Sequence, residues 1–402
     1  MRVTTNMMYD RNVSHMMKTT ERLSKASEQM LTGDRFTTAG EDPVAMAQKL
    51  DLTTAISRYQ QYSSNGILLE SSLGLEEKTM DSIYSSMSSA YTKVQQSVNS
   101  TNGATDREAL ANELEEIQKH MLDLMNSKNS SGEYVFSGNL SQTEPFYKDS
   151  TGQYVYQGGA GQNFIQVSST VQIASNDNGA DIFESVPTQR TATASSANIS
   201  VSIGAQGTFD GFYRSKYDFN TPANNTYTVD TTVGPPDQYA IKDAGGSVLQ
   251  TGDYTQGKDI SFNGLTLNLN VAAGGSTQSF ALDSPKNGNV LNTMSEMIAA
   301  LRDPSTTTDQ LTAIAAKTET HLTNTQDSVN SVLGKIGGRL NNLDAVTSSN
   351  DELTTLSKTT RANVSEIDLY QATTNVTKEN TALSMAQQSY SMISKTTLFN
   401  YL

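Results

Sequence analysis

The chain of 402 residues contains no cysteine and no tryptophan, and only eight prolines. The missing cysteine excludes disulfides, thiolate catalysis and cysteine-ligated zinc. Hydrophobic residues make up 36% of the chain, the mean hydropathy is −0.47, and no run of about 18 apolar residues occurs, so no membrane-crossing helix is expected. The opening residues 1–17 interrupt their apolar side chains with Asp10, Arg11, Asn12 and His15, so an ordinary cleaved secretory signal is not expected either. The formal charge of −14 comes with no basic stripe, which argues against nucleic acid or an anionic membrane as the main partner.

What the chain does contain is heptad spacing at both ends. Tyr9, Met16, Leu23 and Met30 recur every seven residues, with Val13 between them; Leu369, Val376, Leu383 and Tyr390 do the same near the other end, accompanied by Ala372, Ala386 and Ile393. Such spacing puts these side chains on one helix face that must pack on another helix. Thr20, Ser27 and Glu379 weaken the seam. A few apolar residues per end return about 1.5–3 kcal/mol each when buried, against about 1–2 kcal/mol per ordered residue. The ends are therefore expected to complete their folding on joining neighbours.

Between the ends the period changes twice. Gly33 ends the first helix, and Asp42-Pro43 reads as N-cap and first position of the next. That helix carries Leu69, Leu73, Met80, Ile83, Met87, Tyr91, Val94 and Val98 in a 3,4 rhythm with one polar gap at Glu76. It breaks at Asn102-Gly103, and a third helix follows through Leu110, Leu114, Ile117, Met121 and Leu124. From about residue 130 short β runs are expected at 134–136, 154–156 and 164–167, then a Thr/Ser/Ala linker over 188–198. Residues 200–283 carry the strongest strand signal. Leu265, Leu267, Leu269 and Val271 alternate with polar residues, Asn263-Gly264 reads as a two-residue hairpin turn, and Gly245-Gly246 marks a second hairpin. Helix returns at about 289, breaks near Pro304, and continues through Leu311, Leu322, Val329, Val332, Ile336 and Leu343. Gly334, Gly337 and Gly338 inside that stretch point to a kink or close helix packing.

A search for chemistry finds little. His15, His120 and His321 lie on three separate helices and read as surface or seam residues, and the GGAG at 158–161 reads as a tight turn rather than a nucleotide site. Glu113, Glu115 and Glu116 read as a solvated helix face. With no nucleophile, metal cluster or convergent base, no enzyme activity, cofactor or metal is expected.

These features resemble the flagellin superfamily and, within it, the hook–filament junction family. The terminal seams, Leu31, Gly33, Arg35 and the Glu41-Asp42-Pro43 turn are similar to the superfamily's terminal helix and loop. Gly132, Tyr134, Phe136, Ser137, Gly138, Pro145 and Phe146 in GEYVFSGNLSQTEPF are similar to the junction signature, as are residues 156–167 and the closing TTLFNYL. The resemblance implies an α+β chain: a long helical bundle, terminal coiled-coil helices from both chain ends, and an inserted, outward-facing β-rich domain. The expected division is 1–45 with 350–402 as an inner-tube domain, 46–186 with 286–349 as a helical bundle with a β-hairpin region, and 187–285 as a variable β-rich insert. It also implies an extracellular structural subunit at the hook–filament junction, exported by the flagellar type III pathway without signal cleavage. Its partners would be copies of itself in a ring or tubular layer, hook-associated protein 1, flagellin and a cytosolic export chaperone. Tyr9, Val13, Met16, Leu23, Met30, Leu369, Val376, Leu383, Tyr390 and Ile393 would be the subunit interface. A filament-forming flagellin and a secreted adhesin module stay open as alternatives.

Overall fold

The structure, a computed structural model, describes residues 5–99 and 101–399, with side chains over 7–99 and 101–392. Seven α-helices are described: α1 (Thr5–Thr32), α2 (Pro43–Ser97), α3 (Ala104–Met125), α4 (Gln206–Lys216), α5 (Val290–Arg302), α6 (Thr308–Ser365) and α7 (Leu369–Phe399). Most boundaries follow from local chemistry. Asp42 caps α2 by accepting the Ala45 N–H at 3.0 Å, ahead of Pro43 at the first helical position. Asn289 caps α5 through the Leu291 N–H at 2.9 Å. One boundary has no counterpart in the sequence reading: α6 stops at Ser365 and α7 restarts at Leu369, where Asp368 accepts the Tyr370 N–H at 2.9 Å.

The chain forms two compact units. The first comprises Met1–Glu70, Ile165–Ile173 and Leu340–Leu402; the second comprises Ser71–Phe164 and Ala174–Arg339. In the second unit, α3, α5 and the unit's portions of α2 and α6 bury their apolar stripes together. Leu73, Met80, Ile83, Met87 and Val94 of α2, Leu114 and Met121 of α3, Leu291 and Met294 of α5, and Leu322 and Val329 of α6 are all essentially without solvent exposure. Polar bonds fix the helix register: Gln118 Nε2 donates to the Leu291 carbonyl at 2.7 Å, and Gln326 Nε2 donates to Ser88 Oγ at 3.0 Å. The acidic residues of α3 are not merely solvated. Glu113 pairs with Lys93 at 2.5 Å and Glu115 with Arg302 at 2.7 Å, so they tie α3 to its neighbours.

Strands β1 (Phe146–Lys148) and β2 (Tyr154–Tyr156) form one hairpin, and β3 (Phe164–Gln166) pairs with β4 (Gln172–Ala174). Beyond β5 (Val186–Pro187) come β6 (Ala192–Ala194), β7 (Ile199–Ile203), β8 (Thr226–Thr232), β9 (Gln238–Lys242), β10 (Val248–Asp253), β11 (Asp259–Phe262), β12 (Leu265–Leu269), β13 (Gln278–Leu282) and β14 (Asn287–Gly288). They build a five-stranded sheet in the order β10-β9-β8-β13-β6 and a three-stranded sheet β11-β12-β7, with antiparallel pairing throughout both. Leu265, Leu267 and Leu269 face inward as alternation requires, joining Phe209, Tyr227, Phe262 and Phe280 in one core. β5 pairs with β14 where the insert's two connections leave the bundle, and Asn324 Nδ2 of α6 donates to the Pro187 carbonyl there at 2.7 Å.

Three expectations are corrected. Residues 134–136 form turns and isolated bridges rather than a strand, because residues 135–138 are all buried in succession, which no alternating strand allows. The stretch 188–198 is not only a linker: its Ala192–Ala194 pairs with β13 as an edge strand. The helix-interior glycines Gly334, Gly337 and Gly338 have open space where a Cβ would stand, so close packing does not explain them. Helix α4 was not foreseen; its Phe209 and Tyr213 are buried in the insert's core.

Gly264 satisfies two constraints at once. Asn263 (φ 48°) and Gly264 (φ 84°) make the turn between Phe262 and Leu265, and a Cβ on Gly264 would lie 2.4 Å from the Ala205 carbonyl and 2.6 Å from the Phe209 nitrogen at the start of α4. Gly264→Ala should therefore destabilise the insert by about 2 kcal/mol or more. Gly337→Ala, in open space inside α6, should stabilise by about 0.5–1 kcal/mol. Urea unfolding of the two variants against the parent checks both signs.

Candidate assembly surface

The first unit brings the two chain ends together. α1 and α7 run antiparallel: Tyr9 lies against Tyr390 with ring centroids 5.2 Å apart, Arg22 pairs with Glu379 at 3.3 Å, and Asp34 bridges Glu366. The Tyr390 hydroxyl donates to the Tyr9 hydroxyl, and this hydrogen bond raises the Tyr390 phenol above its ordinary range. Where the chain leaves the pair, Arg35 N–H donates to the Ser365 carbonyl at 2.7 Å and Ile367 N–H to the Gly33 carbonyl at 2.9 Å. Phe36 is buried in this crossing, with Arg35 and Lys49 over its ring at 5.7 and 6.0 Å. Lys49 also pairs with Asp34 at 2.7 Å, and Lys25 with Glu41 at 2.8 Å. The Lys25 hydrogen bond, helped by the Thr37 N–H, holds the Glu41 carboxyl below its ordinary range.

The seam is thinner than the heptads suggest. Val13, Met16, Leu23, Val376, Leu383 and Tyr390 are half-buried; Tyr9 and Met30 are more than a third exposed, and Leu369 stands in water. Ile393 lies in α7, its side chain outside the described residues, and part of TTLFNYL lies outside them too. The side chains fully buried in this pair are small: Thr19 and Ala26 on α1 and Ala372 on α7. The polar residues crossing the seam on α1 thus differ from those expected. Thr20 and Ser27 face solvent, while Thr19 lies inside and donates its hydroxyl to the His15 carbonyl at 2.9 Å. Half-burial of a Leu or Met returns only about 1 kcal/mol.

What the pair leaves uncovered is extensive. Leu31 and Tyr370 are 87% and 83% exposed, and Met17, Val44, Leu50, Ile67, Leu356 and Met392 are more than half exposed. Scattered exposed apolar residues are ordinary and contiguous ones mark interfaces, so the exposed side chains of this unit are the candidate assembly surface. On α7, Thr373, Thr374, Thr377 and Thr381 each donate their hydroxyl to the carbonyl four residues back at 2.7–2.9 Å. With their polarity turned inward, these threonines line a shallow groove of about 590 Å³ together with Lys378, Ala382 and Met385.

The signature residues serve the interior of the second unit. Phe136 and Phe146 are fully buried and meet Phe183 edge-on at 5.5 and 5.9 Å. Pro145 is buried beside Phe146, whose backbone is held from both sides by the Asn126 amide at 2.8 and 2.9 Å. Ser137 is buried and donates to the Tyr134 carbonyl at 3.0 Å; Tyr134 lies under Lys128 at 4.4 Å. Gly132 is an exposed turn residue. Gly138 has φ 61°, and a Cβ there would fall 2.1 Å from the Gly159 carbonyl oxygen, so the GGAG segment is a close partner of this loop. Asn176 Nδ2 donates to the Gly138 carbonyl at 2.7 Å.

Beside this cluster lies a buried charge network. Arg339 of α6 donates to both Asp177 oxygens at 2.7 and 2.8 Å, and the Asp177 N–H donates to Glu76 Oε1 at 3.0 Å. Glu76 has no solvent exposure, and its Oε2 has no hydrogen-bond partner among the described residues. Burial, reinforced by the Asp177 charge, pushes its carboxyl up to about 8. His321 is also fully buried, its Nδ1 2.7 Å from the Thr293 hydroxyl, and burial pushes it down to about 4. His15 and His120 are exposed.

With this geometry in place, the comparisons with known proteins can be set beside it: residues 3–141 are similar to the bacterial flagellin N-terminal helical region. More particularly, the chain is similar to flagellar hook-associated protein 3. It is 31% identical over 186 residues to that of Salmonella typhimurium, covering 46% of this chain and 58% of the relative. To that of Escherichia coli it is 29% identical over 192 residues, covering 48% and 60%. The matches thus span less than two thirds of the length of either relative. Among solved structures, FlgL of Xanthomonas campestris superposes with a TM-score of 0.57 at 24% identity, covering 77% of this chain and 98% of that one. Hook-associated protein 3 of Legionella pneumophila gives 0.59 at 24%, covering 78% and 98%. At these identities the structural likeness is one of fold, and it is the α+β architecture expected from the sequence.

The Glu76 network sets a pH dependence. The folded chain holds the Glu76 proton more tightly than the unfolded chain, so ionisation costs stability. Stability of the second unit should fall as pH rises from about 4.5 to about 8, by a few kcal/mol in all, and level off above. Glu76→Gln should flatten that decline, which denaturant midpoints measured at pH 6, 7.5 and 9 will show.

Proposed function

We propose that this chain is a structural subunit of the bacterial flagellum that forms the junction layer between the hook, by way of hook-associated protein 1, and the flagellin filament. The observation that carries the reading is the antiparallel pair of chain-end helices whose outer faces keep large apolar side chains in water. Such a pair completes its burial by packing on further helices, and a second copy of this chain supplies the same helices. The similarity to hook-associated protein 3, a flagellar protein by name, supports the same reading.

In this reading residues 1–45 with 350–402 form an inner tube, 46–186 with 286–349 the surrounding wall, and 187–285 an outward-facing insert. Tyr9, Val13, Met16, Leu23, Met30, Leu369, Val376, Leu383, Tyr390 and Ile393 contribute to the contacts between subunits. The subunit reaches the hook tip through the flagellar type III export route, escorted by a cytosolic chaperone, and performs no catalysis. The flagellin N-terminal match is shared with filament-forming flagellins, so polymerisation of the purified chain alone into long filaments would favour that second reading.

Deletion of the gene should leave hooks intact while flagellin escapes unassembled into the medium; normal filaments on the deletion strain would overturn the junction reading. Complementation with Leu369→Glu combined with Tyr370→Glu should fail to restore filaments. Because both side chains already stand in water, monomer stability should change by no more than about 0.5 kcal/mol per substitution.

A further inference from the structure

Twelve of the fifteen methionines fall into two groups, while Met16 and Met46 are half-buried. Met80, Met87, Met121, Met125, Met294 and Met297 lie in the bundle, each exposed by 1% or less. Met7, Met8, Met17, Met30, Met385 and Met392 lie on α1 and α7, between 38% and 69% exposed. The thioether is the side chain most open to two-electron oxidation in a chain without cysteine, and its reactivity follows solvent access. The exposed six share their helices with the uncovered apolar faces, and Met385 lines the groove on α7.

We infer that these six methionines are peroxide-modification sites that make assembly of this chain sensitive to oxidation. The inference rests on the assembly reading above, with a second copy as the occupant of the terminal face. In the step, the methionine sulfur attacks one oxygen of hydrogen peroxide. The O–O bond breaks, an S=O bond forms, sulfur gives up two electrons, and the other oxygen leaves as water. Before assembly a sulfoxide at Met7, Met17, Met385 or Met392, each more than half exposed, keeps its contact with water. At a helix–helix contact its strong dipole must be desolvated without a partner built to receive it, which opposes association. The bundle methionines are shielded by their packing, so the same dose leaves the second unit folded.

The test treats the purified full-length chain with dilute hydrogen peroxide and maps the sulfoxides by peptide mass spectrometry. Treated and untreated chains are then added, with flagellin monomers, to hook-bearing cells of the deletion strain, and filaments are counted. The expected result is sulfoxide at the six exposed positions at least tenfold ahead of the bundle positions, an unchanged thermal unfolding midpoint for the second unit, and filament counts reduced at least fivefold. Reduction of the treated chain with methionine sulfoxide reductases before it is added to the cells should restore filament counts to those of the untreated chain, and failure of that rescue would overturn the inference. Equal oxidation of exposed and bundle methionines, or filament counts unaffected by oxidation, would overturn the inference. Failure of the untreated chain to restore filaments is a different result, and it overturns the junction reading itself.

Discussion

Two helices packed side by side bury one strip of each and leave the rest in water, and the pairing of α1 with α7 works under that limit. Its buried side chains are small, Thr19, Ala26 and Ala372, while Leu31, Tyr370 and Leu369 remain outside. A seam of half-buried residues joined by one tyrosine pair and one ion pair fixes which end meets which, and in which direction, without exhausting the apolar surface. The back-bonded threonines of α7 extend the same logic, since hydroxyls committed to their own helix no longer need water. The unit is thus built with specific pairing and unspent hydrophobic capacity, the combination a subunit of a larger array requires.

The second unit solves the opposite problem. Its bundle buries Leu, Met and Ile side chains completely, and its polar groups are drawn into interhelical bonds, as with Gln118 and Arg302. The cost appears at Glu76, a carboxyl held in the interior because the Asp177 backbone and the Asp177–Arg339 pair require an acceptor there. Such a network adds little net stability but fixes one arrangement of the 174–179 loop against two helices. The signature loop stands beside it, with Gly138 and Gly159 in backbone contact and Phe136 and Phe146 around Phe183. The signature therefore reads as the packing requirement of one knot of loops.

Much of this was legible in the sequence wherever the signal is local. The 3,4 rhythm of Leu114 to Leu124 reports a helix face, the alternation of Leu265 to Leu269 reports a half-buried strand, and Asn263-Gly264 reports a turn that demands positive φ. The failures are equally physical. Tyr134 to Phe136 has strand composition, yet its neighbours demand burial of successive residues, and Ala192–Ala194 becomes a strand only because β13 offers an edge. Gly334, Gly337 and Gly338 point to a kink or to close packing, and the open space beside each removes the second of these, since a glycine costs a helix the same whether or not a neighbour approaches.

The sequence by itself determined the long helical stretches, the strand-rich region between them and the existence of an apolar seam at each end, because periodicity is set by 3.6 residues per turn or two per strand. Only the tertiary structure decided that the two seams run antiparallel, that Thr19 rather than Thr20 crosses the interface, and that Leu369 stays outside. It alone brought Arg339 to Asp177 across 162 residues of chain and set Glu76 against the Asp177 N–H. A period specifies which side of an element is apolar; what covers that side depends on distant residues, and no local pattern carries that information.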